Sequence, residues 1–270
     1  MRDGILLLAA PWAWLLGRKL VDLYRQRGIL KLNYRGAAIT PALGPVLLIG
    51  YLPALGLAGW LDHSRAPQVL AVAMVLLGAS WFGLWDDLLA DPVSGFKGHF
   101  GALLKGEVTA GLLKIATAGM VGTIFAATLP CSLREKILAM LLIALSANGL
   151  NLLDRRPGRA LKAFFLGSWA LISFAGPGKV LWLLMPLQLV ALVVAPLDLR
   201  ARAMLGDCGS NLLGAALGVT SVFYLTVPSQ LAMVLLWLAV HIYAEISSIS
   251  LLIERYPLLK YLDRLGCCKE

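Results

Sequence analysis

Charge is scarce in this chain. Only 14% of its 270 residues are Asp, Glu, Lys or Arg, where a soluble domain of that size carries about a quarter, and 59% are hydrophobic. A mean hydropathy of +0.80 leaves no room for a separate soluble domain. Histidine (three) and cysteine (four) are equally sparse. Cys131 stands alone, Cys208 lies inside a glycine-rich motif and Cys267-Cys268 close the tail, so the spacing offers neither a disulfide framework nor a zinc site. Period-two alternation, the mark of a transmembrane barrel strand, is missing, as are internal repeats, low-complexity tracts and linkers. Long continuous apolar runs fill the chain instead. In a bilayer such runs must be helices, because a helix satisfies its own backbone.

These runs lie near 4–17, 43–60, 68–85, 109–128, 137–153, 163–176, 179–196, 209–227 and 229–251, with Gly176-Pro177-Gly178 between the sixth and seventh. The expected architecture is a single all-α domain over 1–270, a polytopic membrane protein of about nine transmembrane helices. With the N-terminus outside, 18 of the 24 Lys and Arg residues fall in inner segments and five in outer ones, while Lys114 sits within the fourth span. That asymmetry follows the positive-inside rule. It also accounts for the net charge of +9 without nucleic acid as a partner. The first run is read as a retained span, since no small-residue cleavage site precedes the basic stretch. Segment 18–42 reads as a short interfacial helix followed by a loop.

Three polar islands interrupt the apolar background. Asp86-Asp87 ends the third run; their side chains point about 100° apart on a helix, so one can face a ligand while the other orients a neighbouring cation. Asn148, Asn151 and Asp154, spaced three apart, share one helix face and could bind a hydroxylated or phosphorylated ligand near a metal. Interhelical bonding by buried Asn is the plainer alternative. Gly206-Asp207-Cys208-Gly209-Ser210-Asn211 opens the eighth run, where free N–H groups favour anions. An aspartate there calls for a bridging divalent cation, and hard oxygen ligands suit Mg²⁺, with Mn²⁺ the alternative. An ordinary helix start would use the same residues. With regularly alternating spans, all three islands emerge on the cytoplasmic side.

Further polar residues carry weaker signals. Arg35, beside Gly36, is either a phosphate clamp or a topology arginine, and Lys97, His99 and Lys105 share that ambiguity. Arg155, Arg156 and Arg159 suit phosphate contact, although a positive-inside loop explains them as well. His241 and Glu245, four apart, read as a locally satisfied pair.

Taken in order, the islands resemble the polyprenyl-phosphate N-acetylhexosamine-1-phosphate transferases, the superfamily that includes phospho-MurNAc-pentapeptide transferase and the undecaprenyl-phosphate GlcNAc-1-phosphate transferases. The resemblance implies that Asn33-Tyr34-Arg35-Gly36 through Pro41 is the first inner loop, that Asp86-Asp87 act on the lipid phosphate, and that Asn148, Asn151 and Asp154 form the Asn–Asn–Asp motif. It makes Asp207 the magnesium-binding aspartate, with Asp154 beside it, and puts Arg202 where many members carry lysine. Arg35, Lys97 and Arg202 are then candidate phosphate clamps.

What the resemblance implies is Mg²⁺-dependent transfer of a sugar-1-phosphate from a UDP-N-acetylhexosamine to a polyprenyl phosphate in a bacterial-type cytoplasmic membrane, with a homodimer compatible. The chain departs from the pattern twice. Arg155-Arg156-Pro157-Gly158-Arg159 replaces a stretch with a second acid, and segment 252–270 carries no histidine. Those departures favour the rival expectation, a degenerate relative that binds polyprenyl lipid as a carrier or scaffold. The four acids at 86, 87, 154 and 207 favour an enzyme.

Overall fold

The computed structural model describes residues 8–88 and 110–267. It is mostly helical, with α1 (Ala9–Gln26), α2 (Leu43–Leu61), α3 (Ala66–Leu88), α4 (Ala110–Ala127), α5 (Leu133–Leu153), α6 (Arg159–Ala175), α7 (Pro177–Leu199), α8 (Gly206–Tyr224) and α9 (Val227–Ile246). Two short helices follow, α10 (Ile249–Arg255) and α11 (Pro257–Arg264), and one hairpin of β1 (Lys31–Leu32) and β2 (Ala38–Ile39) joins α1 to α2. Among the described residues, five helices are long and apolar enough to cross a membrane: Leu43–Leu61, His63–Leu88, Leu133–Leu153, Pro177–Leu199 and Val227–Ile246.

Local chemistry sets the helix ends. Ser132 and Glu135 form a reciprocal capping box that starts α5. Pro177 opens α7, where its missing N–H costs nothing. The expected break between a first span and a separate interfacial helix is absent. α1 runs unbroken through Arg18 and Lys19 to Gln26, because no proline follows its first turn and Gly17 packs on Val46 of α2. At the other end, the run expected over 229–251 stops at Ile246, where Ser247 and Ser248 are extended.

Helix α8 is the axis of the bundle. Nearly everything from Cys208 to Ser221 is buried, against α3 and α5 chiefly and α2, α6 and α7 besides. α9 packs on α5 and leaves Leu231, Leu235, Leu236 and Ile242 exposed, as a lipid-facing helix would. The hairpin is stitched to the start of α8. Thr40 bridges Ala203, the Met204 N–H donates to the Thr40 carbonyl (2.9 Å), and the Gly44 N–H donates to the Leu205 carbonyl (3.1 Å).

Candidate functional site

Asp87 is the hub. It is 7% exposed at the end of α3, and its carboxylate accepts three hydrogen bonds. Lys31 Nζ on the hairpin donates to Oδ1 at 2.7 Å, the Asp207 N–H donates to Oδ1 at 3.0 Å, and the Cys208 N–H donates to Oδ2 at 3.0 Å. Leu205, at the N-cap of α8, provides no side-chain cap, so a carboxylate from another helix takes that role. The approach depends on two glycines. A Cβ on Gly83 would collide with the Asp207 carbonyl, and one on Gly206, whose φ is +66°, would collide with the Asp87 carboxylate.

Asp86, one residue earlier, is half-buried. Asp207, in the first turn of α8, and Asp154, just past the end of α5, are also half-buried, and neither carboxylate accepts a hydrogen bond from a described residue. Burial pushes the Asp154 carboxyl well above the usual range, and the nearby charges of Asp198, Asp207 and Asp87 push it further. Burial alone would lower the Lys31 ammonium. Asp87 beside it, with Asp207 and Asp154 within electrostatic reach, more than reverses that and raises it. One ammonium thus stands among three carboxylates drawn from α3, α5 and α8.

The test of whether such a cluster suits a divalent cation rests on its donors. Among the described residues no three His, Cys, Asp or Glu side chains lie close enough to hold a metal by themselves. Mg²⁺ does not need three. It keeps waters and is bound by one or two carboxylates plus substrate phosphates. Asp207 and Asp154, hard donors whose carboxylates have no hydrogen-bond partner among the described residues, fit that role.

An apolar groove of about 310 Å³ runs between α3, α4, α5 and α8, lined by Val75, Phe82, Met140 and Ile143 among others. Asn148, Asn151 and Asn211 make its polar lining. Asn151 Oδ1 also accepts from Ser210 Oγ (3.0 Å), tying α5 to α8. Asn148 donates to Nε2 of His241 (2.9 Å), whose Nδ1–H donates to the Trp237 carbonyl (2.7 Å). The expected His241–Glu245 pairing is thus replaced by a bond between helices.

A second cavity, about 330 Å³, is lined by Tyr34, Arg35, Arg156, Arg200, Arg264, Asp263 and Cys267 among others. Arg35 stacks on Tyr34, 5.1 Å from the ring centroid. Arg202 does not line it; its carbonyl accepts from Arg25 Nη2 (3.0 Å) and its side chain is exposed. Lys97, His99 and Lys105 lie outside the described residues.

The basic run after Asp154 turns to the tail. Arg159, 5% exposed, grips Asp263 through Nε (2.8 Å) and Nη2 (2.9 Å), and donates to Ser250 Oγ through Nη1 (3.0 Å). Arg156 pairs with Glu254 at 2.8 Å. Both arginines thus have acidic protein partners, and Arg156 also lines the second cavity.

Sequence reasoning missed Lys31, Arg200 and Asp198, and named Asn211 only as part of the glycine-rich island. Asp198, 2% exposed, takes the Gly158 N–H at 2.7 Å and that of Leu205 on its other side, fixing the turns before α6 and α8. A carboxylate just past the end of an apolar run was the available signal. No protein-family model matches the chain, and no curated protein matches it.

Proposed function

We propose that this protein is a multi-pass transferase that moves a sugar-1-phosphate from a UDP-N-acetylhexosamine to a polyprenyl phosphate. In this reading helices α1 to α9 are spans, the N-terminus is outside, and the acidic cluster faces the cytoplasm of a bacterial-type inner membrane. One observation carries it. The amide-lined groove and the acidic cluster share two helices, with Asn151 one turn from Asp154 on α5 and Asn211 one turn from Asp207 on α8. A long apolar chain bearing a phosphate matches that layout, with its chain in the groove and its head among the acids and Lys31.

The reaction balances simply. An oxygen of the lipid phosphate attacks the β-phosphorus of the donor, the bond from that phosphorus to the α–β bridging oxygen breaks, and UMP leaves with that oxygen. Lys31 offers positive charge to the incoming phosphate while held in place by Asp87. Asp87 is committed to the cap of α8, so taking a proton from the acceptor, or orienting it, falls to Asp86. When bound on Asp207 and Asp154, Mg²⁺ or Mn²⁺ would neutralise the diphosphate.

The test is UMP release by purified protein given undecaprenyl phosphate, Mg²⁺ and each of a set of UDP-N-acetylhexosamines. UDP-GlcNAc or a close epimer is expected to support release, and UDP-MurNAc-pentapeptide is not, since segment 252–270 carries no histidine. Asp207→Asn should fold yet lose activity by orders of magnitude. Tight polyprenyl-phosphate binding with no UMP release from any donor would instead favour the lipid-binding scaffold.

A further inference from the structure

The C-terminal segment is joined to the bundle in an unusual sense. Its apolar side chains Leu251, Leu258 and Tyr261 are exposed, while Glu254 and Asp263 pair with arginines of the bundle. Asp263 is gripped on both carboxylate oxygens by Arg159, its carbonyl accepts from Lys162 Nζ, and Glu254 holds Arg156. A planar guanidinium fork meeting a carboxylate at two points fixes orientation as well as distance. Arg264 and Cys267, which follow the clamped Asp263 in the chain, form one wall of the arginine-lined cavity. Its other walls belong to the hairpin (Tyr34, Arg35), the turn before α6 (Arg156) and the end of α7 (Arg200).

Among the arginines that line this cavity, Arg156 has an acidic partner, whereas Arg200 and Arg264 have none among the described residues. Such a concentration of guanidinium groups around an open cleft of about 330 Å³ suits a phosphate-bearing anion, with Arg35 held over Tyr34 on the opposite side. We propose that segment 249–267 is a docked strap completing a phosphate-binding cavity, and that Asp263 is a positioning residue coupling strap docking to anion binding through Arg159. The anion is an inorganic or organic diphosphate, or a lipid phosphate headgroup. The proposal rests on the transferase reading only for which of these fills the cavity in the cell.

Cys267 reports the strap directly. Its thiol lies 3.3 Å from the Pro157 carbonyl and is half-buried while the strap is docked. The experiment measures maleimide modification of Cys267, in a Cys268→Ser background, by mass spectrometry of the tail peptide, with protein in zwitterionic nanodiscs. Pyrophosphate is added to one arm and phosphatidylglycerol is mixed into the bilayer in another. Protection scales as one plus ligand over dissociation constant, so pyrophosphate at ten times that constant slows modification about tenfold. Protection only in the phosphatidylglycerol arm supports the coupling and assigns the anion to a lipid headgroup.

Asp263→Asn is expected to speed modification without ligand and to abolish protection. Arg35→Gln, which does not touch the strap, is expected to keep the ligand-free rate and lose protection. Protection in neither arm, or unchanged protection in Arg35→Gln, overturns the proposal, and both outcomes can be read even if Asp263→Asn fails to fold. None of these measurements uses sugar-phosphate transfer, so a failed transfer assay leaves the strap and its cavity standing or falling on their own result.

Discussion

Lys31 and Asp87 are 56 residues apart in the chain and 2.7 Å apart in the fold. The pair joins the hairpin after α1 to the end of α3, and the same carboxylate caps α8. Three elements therefore depend on one side chain. Asp87→Ala should destabilise the protein by about 2–4 kcal/mol, because it leaves the Lys31 ammonium and two amides at the start of α8 without their acceptor. Lys31→Met should cost less, about 1–2 kcal/mol, because Asp87 retains two amide donors. Thermal unfolding in detergent measures both. Equal loss from the two changes would show that the cap contributes nothing.

The close approach of α3 to α8 gives a second, steric expectation. Gly83→Ala puts a methyl group into the Asp207 backbone, and Gly206→Ala adds a left-handed backbone to a collision with Asp87. Overpacking costs about 1–3 kcal/mol, and the left-handed conformation about 1–2 kcal/mol more. Gly178→Ala, where an added Cβ meets nothing within 4 Å, is the neutral control. Unfolding curves of the three variants should rank with Gly206→Ala the least stable and Gly178→Ala near the wild type.

Much of this was legible from residue types alone. The apolar runs foretold helices because a bilayer allows a continuous apolar chain little else. Asp86-Asp87, Asn151, Asp154 and Asp207 stood out because carboxylates and amides amid such runs are costly to leave without partners. What stayed hidden were partners across helices. Spacing along a helix reveals only its own neighbours, so His241 was matched with Glu245 when it bonds Asn148. In the same way Arg156 and Arg159 looked like phosphate ligands, since Glu254 and Asp263, about a hundred residues on, could not be seen as their counterparts. Lys31 passed as one more topology lysine for the same reason.

Orientation can be read with two native cysteines. Cys131 immediately precedes the capping box that starts α5, whereas Cys267 packs on Pro157, just beyond the other end of that helix. An impermeant maleimide added to intact cells should label Cys131 and leave Cys267 unmodified until the membrane is opened. Labelling of Cys267 from outside would put the acidic cluster on the wrong side for a cytoplasmic nucleotide sugar.

The strap should respond to pH in a defined direction. Burial works to raise the Asp263 carboxyl, but the Arg159 hydrogen bonds and charge, with Lys162 and Arg156 adding theirs, hold it below the ordinary value. A carboxylate with a depressed folded-state pKa stabilises the docked form above its unfolded pKa, about 3.9 for Asp. That contribution is lost only as the pH falls through the lower folded value. Docking should therefore be constant from neutral pH down to about 4 and weaken below it. Hydrogen exchange over 249–267, corrected for the intrinsic rate, follows this directly. In Asp263→Asn the acid-dependent step should vanish and the segment should exchange quickly throughout. A midpoint between pH 5 and 7 would mean that some group other than Asp263 controls the strap.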